Sequence, residues 1–330
     1  MRSYKSSLLT LVVGMTFFFK SMSQQAEEFS LIRENAYILN PALSGAKGFL
    51  AGTITYRKQF ANVTQSPYTT YLALEGQIAN KNIGLGGYIL HDQTGPTGMS
   101  GIGLSAAYQI RLNKYELVNE DIKPYNTKSR HMITIGLGVE VKQYRLDAAA
   151  LRPDVAADPE LASTYKNQYL PDASVGIYYQ LGEKFFAGIS VPQLLGLNVK
   201  YAATNGSSEI RKVQHINFLI GGRINLGREK KWALEPVGAL RWANNAPPQA
   251  DLGMRLNFNQ IVWLGVNYRT LSKVIGDVGF EIKGIGRLCY AAGIETTDVR
   301  RIGLSHEVTL SFRIESKKSP DIQILNMRFR

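Results

Sequence analysis

The sequence is poor in the residues that build metal centres and disulfides. One cysteine, Cys289, and four histidines occur in 330 residues. A lone thiol excludes a disulfide scaffold and any cysteine-rich zinc or iron–sulfur site. Four scattered histidines leave little material for a histidine-built metal centre or for a serine–histidine–aspartate arrangement. We therefore expect no cofactor, no metal and no enzymatic activity.

Long apolar runs are also missing. After residue 23 no stretch of 18 apolar residues occurs, which excludes a helical membrane protein and leaves a soluble protein or a β-barrel. Charged residues make up only 19%, whereas the chain has 31 glycines and 17 tyrosines, a mixture typical of aromatic-rich strands. The surplus of 38 Lys and Arg over 26 Asp and Glu is scattered singly, so it indicates contact with anionic lipid and not with nucleic acid.

The first 23 residues have the pattern of a secretory signal peptide. Arg2 and Lys5 form a positive start, residues 8–19 are apolar, and Ser21–Ser23 is a small-x-small cleavage site. Cleavage is predicted before Gln24. The 12 apolar residues are too few to span a bilayer as a helix.

Apolar and polar residues alternate along the chain from Phe49 onward. Between Ile133 and Val141, for example, every second residue is isoleucine, leucine or valine. This period of two predicts β-strands. Fourteen such segments have approximate centres in 49–57, 68–79, 83–91, 101–111, 132–144, 172–180, 185–191, 214–226, 232–242, 249–257, 261–269, 274–283, 287–295 and 303–314. The fold class is therefore all-β, an antiparallel transmembrane β-barrel of about 14 strands over residues 49–314.

The predicted connections alternate in length. Turns after even-numbered segments are mostly tight. Longer loops follow odd-numbered segments, over 58–67, 92–100, 145–171 and 192–213. Outer-membrane barrels have short periplasmic turns and long external loops, so an even strand number places both termini in the periplasm. The polar stretch 112–131 lies on the short-turn side and is interpreted as a periplasmic insertion. Residues 24–48 are expected to form a periplasmic or plug segment, and residues 315–330 a polar C-terminal tail.

The two faces of the predicted strands differ in chemistry. Aromatic side chains near strand ends would suit the headgroup belts of a membrane barrel; they are Tyr56, Tyr68, Tyr108, Tyr144, Trp232, Trp242, Trp263 and Tyr268. Charges of both signs fall on the polar face: Glu75, Glu140, Lys142, Arg223, Glu235, Arg241, Asp251, Arg255, Asp277, Glu281, Glu307 and Arg313. A soluble sandwich is the alternative, but so many inward charges favour a barrel.

The lumen of such a barrel needs an occupant. Fourteen strands enclose a space too wide for wall side chains alone to fill. Either water fills it or a part of the chain plugs it, and the candidate plugs are 24–48, 145–171 and 192–213. The glycine clusters at 84–87 and 136–138 are interpreted as sites of strand curvature and close lumen packing, because neither opens a helix as a phosphate loop does.

Seven short motifs follow one another along the chain. They are NPALSG at 40–45, YRKQF at 56–60, KNIGLGG at 81–87, HDQTGPT at 91–97, PDASVG at 171–176, WLGVNYR at 263–269 and SHEVTL at 305–310. The set resembles the PorP/SprF family of outer-membrane proteins from Bacteroidetes, from about Asn35 to Ile314. The tail at 315–330 and the insertion at 112–131 depart from the family pattern, which leaves room for a different periplasmic contact.

The resemblance implies a non-catalytic outer-membrane component of the type IX secretion system and of gliding motility. Its implied partners are a secreted, adhesin-like surface protein, which it helps to export or anchor, and periplasmic components of the secretion system. The alternative is a passive or plugged porin-like channel for small solutes.

Eight residues are candidates for binding a partner or for forming a plug: Asn40, Pro41, Gly45, Tyr56, Arg57, Gln59, Tyr268 and Arg269. Residues 40–48 are interpreted as a plug turn, since proline and glycine suit a tight path. Arg57 and Arg269 each follow a tyrosine at the outer end of a strand. They would recognise an acidic partner segment or, in the favoured interpretation, face lipopolysaccharide or structure the rim.

Overall fold

The computed structural model describes residues 28–78, 81–112, 131–147, 165–203, 206–210, 213–244, 246–270, 272–282, 286–296 and 303–314. For residues 165–166, 199–203 and 206–210 it describes the backbone only. The predicted signal peptide, the C-terminal tail and residues 113–130 of the predicted insertion lie outside these residues.

Two short helical turns precede a long series of strands. The turns are α1 (Ala36–Leu39) and a 3₁₀ turn (Pro41–Leu43). The strands are β1 (Leu50–Lys58), β2 (Tyr68–Gln77), β3 (Ile83–Thr94), β4 (Thr97–Arg111), β5 (His131–Asp147), β6 (Tyr165–Leu181), β7 (Phe185–Val191), β8 (Val199–Ala203), β9 (Gly206–Ile210), β10 (His215–Gly222), β11 (Ile224–Leu226), β12 (Trp232–Ala243), β13 (Gln249–Phe258), β14 (Val262–Arg269), β15 (Lys273–Ile282), β16 (Gly286–Glu295) and β17 (Ser305–Ile314). Among the described residues, no helix has the length and apolar character needed to cross a membrane.

The strands close into a barrel. β1 pairs antiparallel with β17, from Leu50 opposite Ile314 to Lys58 opposite His306. Both β10 and β11 pair with β12, so they form one strand interrupted at Arg223. Counted this way the barrel has 14 antiparallel strands, and β8 and β9 form a separate hairpin. The predicted all-β barrel and its strand number are confirmed.

The two rims of the barrel differ. The short-turn rim carries the connections 182–184, 227–231 and 259–261, together with the start of β1 and the end of β17. The opposite, long-loop rim carries 59–67 and the described parts of 192–214, and the strands before and after 148–164 and 297–302 end there. The predicted loop 92–100 is wrong: β3 and β4 pair up to Thr94 opposite Thr97. Gly95, with φ of 54°, allows the two-residue turn that joins them.

Apolar residues face outward and polar residues face inward. In β1, Ile54 is exposed while its neighbour Thr55 is fully buried. Outward leucines such as Leu104 and Leu264 form the lipid face of a membrane barrel. The prediction that Trp263 belongs to the aromatic belt is wrong. Its side chain lies on the lumen side of its strand and is only 4% exposed. The outward ones include Tyr56, Tyr108, Trp232, Trp242 and Tyr268.

Candidate functional site: the occupied lumen

Residues 28–48, the N-terminal segment, thread the lumen of the barrel. Glu28 contacts Arg57 and Arg269, which lie at the long-loop ends of β1 and β14. Lys47, near the other end of the segment, pairs with Glu75 at 2.8 Å, close to the short-turn end of β2. The described chain therefore begins near one rim and ends, in β17, at the other. The predicted N-terminus of the mature chain, Gln24, lies outside the described residues, so the position of both termini in the periplasm stays a prediction.

Arg269 binds the start of the N-terminal segment. The guanidinium of this fully buried residue lies 2.6 Å from Glu28 Oε2, and its Nη2 donates to the carbonyl of Phe29 at 2.8 Å. Its Nε donates to Asp251 at 2.5 Å. Arg57 donates to the backbone carbonyl of Glu28. Two wall arginines thus hold one acidic residue of the chain itself.

Glu307, on the wall strand β17, binds the backbone of the same part of the segment. Its carboxylate accepts the N–H of Ser30 at 2.6 Å and the N–H of Leu31 at 3.0 Å. It also accepts from the side-chain amide of Asn35 at 3.2 Å. Thr55 donates to the amide oxygen of Asn35 at 2.7 Å. A buried wall carboxylate therefore compensates the polar backbone that the segment brings into the lumen.

A second ion pair holds the middle of the segment. Arg255 binds Glu34 through two parallel hydrogen bonds of 2.7 and 2.9 Å, the bidentate geometry that gives the strongest carboxylate contacts. Arg255 also pairs with Asp277 at 2.8 Å, and Asn267 donates to the same aspartate. The mixed-sign lumen charges of the strands therefore pair partly with one another and partly with the segment.

Asn40 locks the turn that follows α1 against the wall. Its side-chain oxygen accepts from the N–H of Ala42 at 2.9 Å and so caps the 3₁₀ turn. Its amide donates to the carbonyls of Ile177 and Ile189 at 3.1 and 3.3 Å. A Cβ on Gly176 would lie only 2.0 Å from the Asn40 oxygen. Only glycine leaves room for this contact.

The wall glycines let the segment approach closely. A Cβ on Gly84 would lie 2.0 Å from the Ser44 carbonyl oxygen, and one on Gly136 would lie 2.3 Å from the Ala42 nitrogen. Gly45 passes this point with φ of 67°, a conformation that other residues rarely adopt. Both glycine clusters of the sequence thus face the N-terminal segment.

The structure separates the eight candidate residues. Asn40, Pro41 and Gly45 lie in the N-terminal segment, and Arg57 and Arg269 bind it. Of the remaining three, Tyr56 and Tyr268 are exposed on the outer face, and Gln59 follows the end of β1 at the long-loop rim. An orientation of the two arginines toward lipopolysaccharide is wrong, because both are buried. The acidic segment that they recognise belongs to the chain itself.

Sequence reasoning missed four of the residues that join the segment to the wall. The sequence pattern does not single out Glu28 and Glu34, and it predicts Arg255 and Glu307 only as lumen charges. A usable signal does exist: two glutamates six residues apart precede a barrel whose polar face carries arginines. Within the described residues, no group of three His, Cys, Asp or Glu side chains is placed to hold a metal ion.

Known proteins similar to this chain fall into two groups. The family model described as "Type IX secretion system membrane protein PorP/SprF" matches residues 21–312. Among curated proteins, none matches the chain significantly. Similar solved structures include the toluene transporter TbuX of Ralstonia pickettii and a FadL homologue of Pseudomonas aeruginosa, each with 10% identity, a TM-score of 0.46, and coverage of 85% of this chain and 94% of the other. The outer membrane protein Omp33 of Acinetobacter baumannii has 8% identity and a TM-score of 0.40, with coverage of 82% and 100%.

Proposed function

Because this chain belongs to the PorP/SprF family of type IX secretion system membrane proteins, we propose that it binds a secreted surface protein and helps to export or anchor it, without chemistry of its own. The observation that carries the proposal is the occupied lumen. A lumen filled by the N-terminal segment favours a function through contacts at the rims over free diffusion of solutes through the barrel.

The way the segment is bound supports this proposal. Both Glu28 and Glu34 are buried and paired with wall arginines. A hydrogen bond to a charged group contributes about 1.5–3 kcal/mol, and each of the two glutamates makes such bonds to a buried arginine. These two points hold the segment in the lumen. We therefore propose a plugged barrel and not an open channel as its working state.

The long-loop rim is the proposed site for the secreted partner. The connection 192–214 there contains the β8–β9 hairpin, with Val199 paired to Ile210. Loops positioned on a rigid scaffold are the usual carriers of binding. We place the short-turn rim in the periplasm, facing the other secretion components, since short turns face that side in outer-membrane barrels.

Affinity purification tests the proposal. A C-terminally tagged chain is solubilised gently in detergent, purified with washes of increasing salt, and its partners are identified by mass spectrometry. We expect one large secreted protein that survives the high-salt wash, because contacts through exposed charges alone are screened there. A variant in which residues 199–210 are replaced by a short glycine–serine linker should lose this partner while the barrel still assembles.

Two outcomes would count against the proposal. Recovery of periplasmic secretion proteins alone would place the main contact at the short-turn rim. A chain recovered without partners that conducts ions steadily in a planar bilayer would support the alternative, a porin-like channel. The proposed plugged barrel predicts a silent bilayer for the unaltered protein.

A further inference from the structure

A cavity of about 120 Å³ remains in the short-turn half of the lumen, between the N-terminal segment and the wall. Its lining includes Gly182 and Gln260 from two short turns, as well as Glu183, which is exposed. The cavity therefore reaches the short-turn rim, where a ligand can enter.

One side of the cavity is apolar. Phe186, Leu219 and Val237 are buried wall residues that line it, and Tyr178 lies against Phe186 with the ring centroids 6.0 Å apart. An apolar cavity of roughly 150 Å³ holds a benzene molecule. The present volume therefore suits a slightly smaller group, such as a branched aliphatic side chain.

Arg33 is the one cation of the described lining that forms no salt bridge, although Glu235 and Glu34 attract it at longer range. Its Nη2 donates to the carbonyls of Gly222 and Pro236 at 3.1 and 2.6 Å, and its buried Nε has no hydrogen-bond partner. The other lining cations are in ion pairs, which are Lys47 with Glu75, Arg223 with Glu235, Arg255 with Glu34, and Arg287 with Glu281.

Two more lining residues carry donors without partners. Arg223 binds Glu235 through Nη1 at 2.6 Å, but its buried Nη2 has no partner. Arg33 binds the carbonyl of Gly222, the residue before Arg223, so its guanidinium lies beside this part of the wall. The indole N–H of Trp263, which also lines the cavity, is buried and unpaired. A buried N–H group without an acceptor lowers the stability of the fold, and a ligand that supplies the acceptor removes this cost.

We propose that this cavity binds a carboxylate carried on a small apolar group. The carboxylate accepts hydrogen bonds from the guanidinium groups of Arg33 and Arg223, which reorient as it enters, and the apolar group packs against Phe186 and Leu219. Arginine forks match carboxylates in geometry and charge. A free branched-chain acid and the C-terminal residue of a protein share this chemistry. The inference goes beyond the proposed function, since it concerns the isolated barrel and needs no secretion partner.

The cavity contains its own reporter. Of the three tryptophans, Trp263 lines the cavity, while Trp232 and Trp242 are exposed on the lipid face. The double variant Trp232→Phe, Trp242→Phe leaves Trp263 as the only indole. Its fluorescence is measured while the purified, detergent-solubilised protein is titrated with N-acetylglycyl-leucine, with the amide of that peptide, and with 3-methylbutanoate.

We expect saturable binding of an acid, with the amide binding at least tenfold more weakly. Equal binding of 3-methylbutanoate and the peptide acid identifies a site for free small acids. Much tighter binding of the peptide acid identifies a site for a protein chain end. Equal binding of acid and amide, or a titration without response to any probe, overturns the proposal.

Substitutions test the assigned residues. Arg33→Gln and Arg223→Gln should each weaken binding of the acid at least tenfold. Arg228→Gln removes the same charge from an exposed position of the 227–231 turn and should leave binding unchanged. If Arg33→Gln disturbs the N-terminal segment, Arg223→Gln still tests the proposal, because Arg223 belongs to the barrel wall. The emission maximum of Trp263 shows in each variant whether the lumen is intact. Unchanged affinity in both variants would refute the assignment.

Discussion

The ion pairs of the N-terminal segment give a quantitative prediction. The double variant Glu28→Gln, Glu34→Gln removes both carboxylates from the segment and leaves every wall residue in place. Arg269 keeps its contact with Asp251, and Arg255 keeps Asp277. The wall arginines are therefore not left as isolated charges, and the loss is confined to the attraction between segment and wall.

The expected effect follows from the contacts that are lost. A hydrogen bond to a charged group contributes about 1.5–3 kcal/mol; Glu34 accepts two from Arg255 and Glu28 one from Arg269. Because glutamine retains part of each contact, we take an average loss of about 2–3 kcal/mol per site. The two sites bind different arginines and their effects should add, to about 4–6 kcal/mol. Since each 1.4 kcal/mol is tenfold, the detached state of the segment should become about 10³- to 10⁴-fold more populated.

Hydrogen exchange measures this population. Amides of residues 28–48 should exchange faster in the double variant by up to that factor, with opening of the whole barrel as the upper limit. Amides of the wall strands β16 and β17 should keep their protection. Glu229→Gln is the matched control, because Glu229 pairs with Lys231 at 2.6 Å in an exposed turn where such pairs contribute little.

Bilayer conductance provides a second measurement of the same change. The unaltered protein should be silent, and the double variant should open intermittently when the segment leaves the lumen. If the double variant exchanges over residues 28–48 as slowly as the unaltered protein and stays silent, the ion pairs do not hold the segment. Apolar packing of residues such as Phe29 and Leu31 would then be its main support.

Three further outcomes are expected. Gly84→Ala should lower the thermal unfolding temperature measured by circular dichroism, because the new Cβ collides with the segment backbone, whereas Gly276→Ala, with nothing within 4 Å of its Cβ, should not. Cys289, fully buried in the lumen, should resist a maleimide in the intact protein and react faster in the double glutamine variant, as followed by mass spectrometry. In single-tryptophan variants, brominated lipids should quench the two outward tryptophans but not Trp263, and equal quenching would contradict its inward orientation.

The strands were predictable because their periodicity directly reflects burial. A period of two assigns each residue to the lipid or to the lumen, and the sheet must close because a free edge in lipid would leave backbone groups without hydrogen bonds. Strand ends were less predictable. Glycine and proline in the segment 92–100 predict a loop. Gly95 and Pro96 occupy the two turn positions, and the strands pair on either side of them up to Thr94 opposite Thr97. Trp263 shows the same limit, since proximity to a strand end does not decide which face a ring occupies.

The contacts of the lumen depend on residues far apart in sequence. Glu28 meets Arg269 across 241 positions, and Ser30 meets Glu307 across 277. Periodicity places Arg269 and Glu307 inside the barrel but cannot name their partners. The sequence pattern of a tyrosine followed by arginine at a strand end fits a rim residue equally well. Only the path of the N-terminal segment through the lumen shows that these arginines bind the segment and are not exposed at the rim.

The wall glycines separate a plugged barrel from a water-filled one more sharply than the charges do. Inward charges suit either state, because water solvates them as readily as a segment pairs them. A glycine at a lumen position is more informative. In a water-filled barrel a larger side chain would fit there, so nothing would require glycine. At Gly84, Gly136 and Gly176, however, a Cβ would lie within 2.3 Å of atoms of the N-terminal segment. These three positions lie on three different strands and follow the segment along its path from Asn40 to Ser44. The wall is therefore shaped for this segment, which is part of the fold of the barrel.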